Sequence, residues 1–193
     1  MIHKRLSLLA LALCLGTSAC SSVITATRDK PIEDDRGTRT FGSKIDDSLI
    51  ETKVAVNVAK ANPDLDQNSH IVVTSFNGVV LLAGQTPRAD LKAAAEQAAS
   101  AVQRVKTVHN ELQVLEPSSL LARNNDAWLT TKIKTQMLTD GTIPGSRIKV
   151  VTENGIVYLL GLVTQQEGAR ATSMVQGVSG VQKIVKLFEY IDG

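Results

Sequence analysis

The sequence predicts an α+β protein of two tandem copies of one small domain. Each copy runs α-β-β-α-β, with two helices packed on one face of a small three-stranded mixed sheet. Three observations lead there: the chain repeats itself, each repeat changes between helical and strand periodicity in the same order, and each carries one Asn-Gly turn.

The repeat is read directly. Asp47 to Val54 matches Asp126 to Ile133, Val73 to Gly84 matches Val150 to Gly161, and Val105 to Val108 matches Val181 to Ile184. The offset drifts only from 79 (Asp47 to Asp126) to 76 (Val105 to Val181), too long a period for a solenoid, so a whole domain is duplicated. Residues 45–116 form the first domain, 117–123 a linker around Glu116-Pro117-Ser118-Ser119, and 124–193 the second domain.

A helix opens each copy, with Asp47 or Asp126 in N-cap position. Ile50, Val54 and Val58 recur at helical spacing, as do Leu129, Ile133 and Met137. A hairpin follows, turning at Asn77-Gly78 or Asn154-Gly155, because Asn-Gly accepts the positive φ angles of a two-residue turn. Its second strand ends at Gly84 or Gly161. A second helix (Asp90 to Val102; Gln165 to Val178) and a last strand (Val108 to Leu115; Ile184 to Ile191) complete the unit.

The N-terminus carries an address. Lys4 and Arg5 precede the apolar run Leu6 to Leu15, and small residues lead to Cys20, which makes residues 1–19 a secretory signal peptide. The apolar run is about half the roughly 20 residues that span a bilayer. Leu15-Gly16-Thr17-Ser18-Ala19-Cys20 resembles a bacterial lipobox, with Thr17 where leucine is usual, so Cys20 is expected to carry the acyl anchor. By resemblance to enterobacterial lipoprotein sorting, Ser21 implies the outer membrane. Residues 20–44 are polar and aperiodic, and are expected to form the lipidated Cys and a flexible tether.

Charge and composition exclude several classes. Of 21 Lys and Arg, Lys4 and Arg5 leave with the signal peptide, so 19 face 19 Asp and Glu, and no global field attracts nucleic acid. From Ile45 to Glu116, 6 basic residues stand against 9 acidic; from Asn124 to Gly193, 7 stand against 6. An anionic surface therefore suits the second domain better. With Cys14 and His3 cleaved away, Cys20 is the one mature cysteine, and His70 and His109 are the mature histidines. That excludes the common zinc spacings and a Cys/His pair. Asp64 and Asp66, beside Pro63, read as a solvated turn. Gly78, Gly84, Gly155 and Gly161 lie in strand and turn contexts that do not form a phosphate loop. No catalytic residue, metal or cofactor is expected.

The hairpins Asn77-Gly78-Val79-Val80-Leu81-Leu82-Ala83-Gly84 and Asn154-Gly155-Ile156-Val157-Tyr158-Leu159-Leu160-Gly161 resemble the motif of BON domains, and two copies behind a lipobox resemble dual-BON outer-membrane lipoproteins. The resemblance covers essentially the whole chain. It implies binding of anionic, phosphatidylglycerol-like phospholipid through the second domain, a role in outer-membrane integrity and division, no enzymatic activity, and Trp128 as a contact residue. A second reading makes the chain an adaptor that docks onto outer-membrane assembly or cell-wall machinery.

On a helical wheel stepping about 100° per residue, Leu129, Ile133, Gln136 and Met137 form the expected core face. Trp128, Thr131, Thr135 and Leu138 form a second stripe flanked by Lys132 and Lys134. Tryptophan favours a bilayer interface, and each lysine there adds about 1 kcal/mol against anionic lipid. These six residues are the candidate phospholipid-binding site. Leu49 takes the place of Trp128 in the first copy. The alternative is that Trp128 packs between the domains or against the last strand.

Overall fold

The structure, a computed structural model, describes residues 37–192; the signal peptide, Cys20 and the tether up to residue 36 lie outside the described residues. α1 (Phe41–Ala61) starts inside the segment expected as tether. Thr40 caps it by accepting the Ser43 N–H at 3.1 Å, and Asn62 is extended before Pro63, which ends it. A short helix, α2 (Pro63–Gln67), stands where a turn was expected, with Asp64 hydrogen-bonded by Asn68 and Arg88. The hairpin β1 (His70–Phe76) and β2 (Val79–Thr86) follows, then α3 (Ala89–Ser100). The last strand of the first copy is not continuous, as expected, but breaks into β3 (Thr107–Asn110) and β4 (Gln113–Val114), both parallel to β2.

The second copy repeats this plan. α4 (Leu120–Thr139) is capped by Ser119, the counterpart of Thr40. β5 (Ile148–Glu153) and β6 (Ile156–Val163) make the hairpin, and α5 (Gln165–Gln176) opens with a capping box between Thr164 and Glu167. β7 (Lys183–Tyr190) runs unbroken, parallel to β6.

Asp47 and Asp126 are not N-caps. Each is the seventh residue of its helix, because the caps Thr40 and Ser119 lie seven residues before them, and each is buried. Their carboxylates grip the hairpins. Asp47 accepts the N–H groups of Asn77 (2.8 Å) and Gly78 (2.9 Å), and Asp126 accepts those of Asn154 (2.8 Å) and Gly155 (2.9 Å). The turns need that help, since all four of these turn residues hold positive φ between 51° and 80°. Asp47 also takes the Ser75 hydroxyl and the Arg39 guanidinium. Burial opposes its charge, but the hydrogen bonds from Gly78, Ser75, Asn77 and Arg39 outweigh burial and hold its pKa below the ordinary value.

Each domain keeps its own core between helices and sheet. Ile50, Val54, Val58, Val80, Leu82, Leu91 and Ala95 fill the first; Leu129, Ile133, Met137, Val157, Leu159 and Ala171 fill the second. A third apolar cluster joins the domains. Phe76, Leu81 and Ala83 from the outer face of the first sheet meet Tyr158, Leu160 and Leu187 from the second. All eight residues of β2 are buried, as a strand covered on both faces must be. Polar contacts rim this seam with an exchange of roles. Asn77 donates to Glu189 (3.0 Å) and Asn154 donates to Gln113 (3.4 Å), and Gln113 and Glu189 occupy matching positions in the two copies. That reciprocity is the mark of a two-fold interface, here within one chain. Lys149 spans the seam as well, donating to Glu51 and to the Ser75 carbonyl.

One part of the seam is under electrostatic tension. Glu153, 8% exposed, faces His70 at 3.4 Å, and neither its Oε2 nor the buried Gln85 Nε2 has a hydrogen bond among the described residues. Burial pushes the Glu153 carboxyl up to about 7, the Asp126 carboxylate adds to the push, and Arg123 and the neighbouring Gln85 amide oppose it. Burial and Arg123 hold His70 below its ordinary value, against Asp126. An unfolded glutamate ionises near 4.5, so the folded chain binds the extra proton between about pH 5 and 7, and Glu153 costs stability progressively as pH rises through that window. Glu153→Gln keeps the shape without the charge. Urea denaturation is expected to show the variant more stable than the parent by about 1–3 kcal/mol at pH 8, with the gap closing by pH 5.

Candidate functional site

The site follows from how α4 is seated. Asp126, Leu129, Ile133 and Met137 are buried, which turns the opposite side of the helix to solvent. Gln136, expected on the core face, is exposed. The four buried residues centre about 45° round the wheel from Leu129, which leaves Gln136 at the rim. Trp128 does not pack between the domains or against the last strand; it is 58% exposed. Thr131, Thr135, Lys134 and Leu138 are exposed on the same side, Leu138 by 65%, and Lys132 is half-buried.

Two local features make this stripe more apolar than its composition. Lys132 lays its ammonium over the Trp128 ring, 5.0 Å from the centroid, so cation and ring form one unit. The threonines bond backward along the helix: Thr131 Oγ1 donates to the Ala127 carbonyl and Thr135 Oγ1 to the Thr131 carbonyl, each at 2.9 Å. Their hydroxyls are therefore satisfied within the helix, and lose little if the face leaves water.

The stripe is also longer than expected. Leu120 and Leu121, assigned to the linker, belong to the first turn of α4 and lie on the Trp128 side, Leu121 being 80% exposed. From Leu121 to Leu138 the stripe runs about 25 Å at 1.5 Å per residue. Two adjacent leucines directly after the capping serine were the available signal. The first copy has a weaker counterpart, since Phe41, Ile45, Leu49 and Val56 are exposed along α1 without a tryptophan. No helix among the described residues is long and apolar enough to cross a membrane, and no three His, Cys, Asp or Glu gather as a metal site there.

The two hairpins clamped by Asp47 and Asp126 fall inside two matches to the BON domain, at residues 46–116 and 125–192. This chain belongs to the BON-domain family. The BON chain is 40% identical to the outer membrane lipoprotein DolP of Haemophilus influenzae over 80% of its own length and 79% of the relative's. It is 32% identical to a 21 kDa hemolysin of Actinobacillus pleuropneumoniae (79% and 78% covered), and 31% identical to the osmotically-inducible protein Y of Escherichia coli (74% and 72%). Two BON copies and this similarity place it among the dual-BON outer-membrane lipoproteins.

Because Trp128 stands outside the core, removing its side chain should leave the BON pair folded. In urea denaturation Trp128→Ala is expected to shift stability by no more than about 0.5 kcal/mol, whereas its neighbour Leu129→Ala, fully inside the core, is expected to cost about 2–5 kcal/mol.

Proposed function

We propose that this protein is held on the periplasmic face of the outer membrane by acylated Cys20, and that it binds anionic phospholipid through α4 of its second domain, in support of outer-membrane integrity and of division. The observation that carries the reading is exposed Trp128, paired with half-buried Lys132, at the centre of an exposed apolar stripe. A ring that buries its body while its N–H stays wet suits the headgroup boundary, and lysines alongside suit anionic headgroups. Leu121, Trp128 and Leu138 would enter the acyl boundary, with Lys132 and Lys134 left at phosphate level. The first domain offers a poorer version of the same face, because α1 has Leu49 in place of the tryptophan and the half-buried Asp46 close by, while the domain as a whole is acidic. We assign the chain no chemistry beyond binding.

Vesicle sedimentation tests this. Phosphatidylglycerol vesicles are expected to retain residues 21–193, and phosphatidylcholine vesicles to retain them far less. Trp128→Ala and the pair Lys132→Ala with Lys134→Ala should each weaken binding about tenfold or more, and the lysine pair should flatten its salt dependence. Equal retention on both lipids, or unchanged binding by folded Trp128→Ala, would remove α4 as the lipid reader.

A further inference from the structure

The two copies differ at one place that the lipid reading does not use, the cleft between the second helix and the last strand. In the first copy Asn110 closes this cleft. Its Nδ2 donates to the Lys92 carbonyl (2.8 Å) and to Glu96 (3.1 Å) on α3. Its Oδ1 accepts the Leu112 N–H, at the point where the strand breaks and Leu112 turns into the core. One asparagine thus seals the cleft and interrupts the edge.

The second copy has neither device. Asn110 pairs with Leu82, and at the matching place Lys186 pairs with Leu159. The positions matching Lys92 and Glu96 are Gly168 and Thr172, and the Thr172 hydroxyl is spent on the Gly168 carbonyl inside its own helix. What remains is a pair of adjoining clefts of about 370 and 280 Å³ that share Thr172, Gln176 and Lys186 and run along β7 as far as Tyr190. β7 is the outermost strand of its sheet, eight residues long and unbroken, so it presents a row of backbone N–H and C=O groups beside the clefts.

We propose that β7 is a docking edge for an extended, acidic peptide segment of another protein, which adds to the second sheet as a fourth strand. The backbone edge supplies the binding mode, since a strand can satisfy that row of donors and acceptors and a lipid cannot. Charge supplies the selectivity. Lys183 and Lys186 are exposed, no Asp or Glu lines either cleft, and neither lysine has a carboxylate partner among the described residues. Lys186 reaches the cleft on the helix side of the strand, so an alternating peptide would set carboxylates there at every second residue. Gly168 lets α5 approach closely: a Cβ there would stand 3.2 Å from the Tyr190 ring and 3.3 Å from Phe188. A backbone laid along β7 would carry its side chains over Lys186.

The test is an NMR titration of residues 21–193 with a synthetic octapeptide alternating valine and glutamate. Controls are the same peptide with lysine for glutamate, the glutamate peptide N-methylated at alternate residues, and phosphatidylglycerol vesicles. Expected are shifts over Lys183–Tyr190, Thr172 and Gln176, and at least tenfold slower hydrogen exchange at the outward-facing β7 amides, with the first peptide only. Lys183→Glu with Lys186→Glu should weaken binding at least tenfold. Thr172→Glu with Lys186→Asn, which rebuilds the closure of the first copy, should abolish it while α4 still binds vesicles. The proposal is overturned by no binding of the glutamate peptide at millimolar concentration, by equal binding of the lysine or N-methylated peptide, by shifts confined to α4, or by β7 shifts produced by the vesicles.

Discussion

A sheet has two faces, and the two helices of a BON domain cover only one. The other face of β2 and β6 is just as apolar here, and it is closed by the other domain: Leu81 and Ala83 against Tyr158 and Leu160. This seam fixes everything outside it. It removes the sheet faces from the surface and makes one body of the two copies. What remains at the surface is the outer side of the helices and the edges of the sheets. The stripe at Trp128 and the edge at β7 are among the surfaces left once burial has taken its share, and both belong to the copy whose net charge is not acidic.

Within that body the duplicated parts and the diverged parts do different work. Both copies keep a hydroxyl cap at the start of the first helix, a buried aspartate on its seventh residue and an Asn-Gly turn gripped by that aspartate. These contacts tie helix to hairpin, and losing one strands a buried carboxylate or two turn N–H groups. Divergence sits outside this shared tie between helix and hairpin. Leu49 and Trp128 occupy one exposed position, and half-buried Asn110 and exposed Lys186 occupy another matching position. The exchange in the first case adds a ring and a cation–π partner; in the second it opens a cleft and leaves an edge unbroken. A common skeleton with differing outer residues gives the two copies different surfaces on the same fold.

Much of the skeleton was legible because its signals are local. Helical spacing at Ile50, Val54 and Val58, the Asn-Gly turns, and the offset between copies each depend on neighbours in sequence, and each led to the right element. The exposed side of α4 was legible too, since a wheel needs only one helix. The errors came from long-range burial. An aspartate before an apolar run reads as an N-cap, and nothing local reveals that it is a clamp for a turn about thirty residues away. Gln136 lies within 20° of Leu129 on an ideal wheel, yet the core centres elsewhere because Asp126 is drawn inward by its turn. The seam was signalled by the unalternating run Val79 to Ala83, which says buried on both faces but not by what. The break in the last strand of the first copy depends on Asn110 meeting α3, which only the folded chain brings together.

If the seam makes one cooperative body of the two domains, their central strands must open together. Native-state hydrogen exchange of residues 21–193 measures this directly by comparing the slowest amides of β2 with those of β6. Equal opening free energies for the two sets, converging on the value for global unfolding, are the expected result. One strand exchanging through an opening that leaves the other protected, with a gap of about 2 kcal/mol or more, would show two domains that merely touch and would contradict the seam.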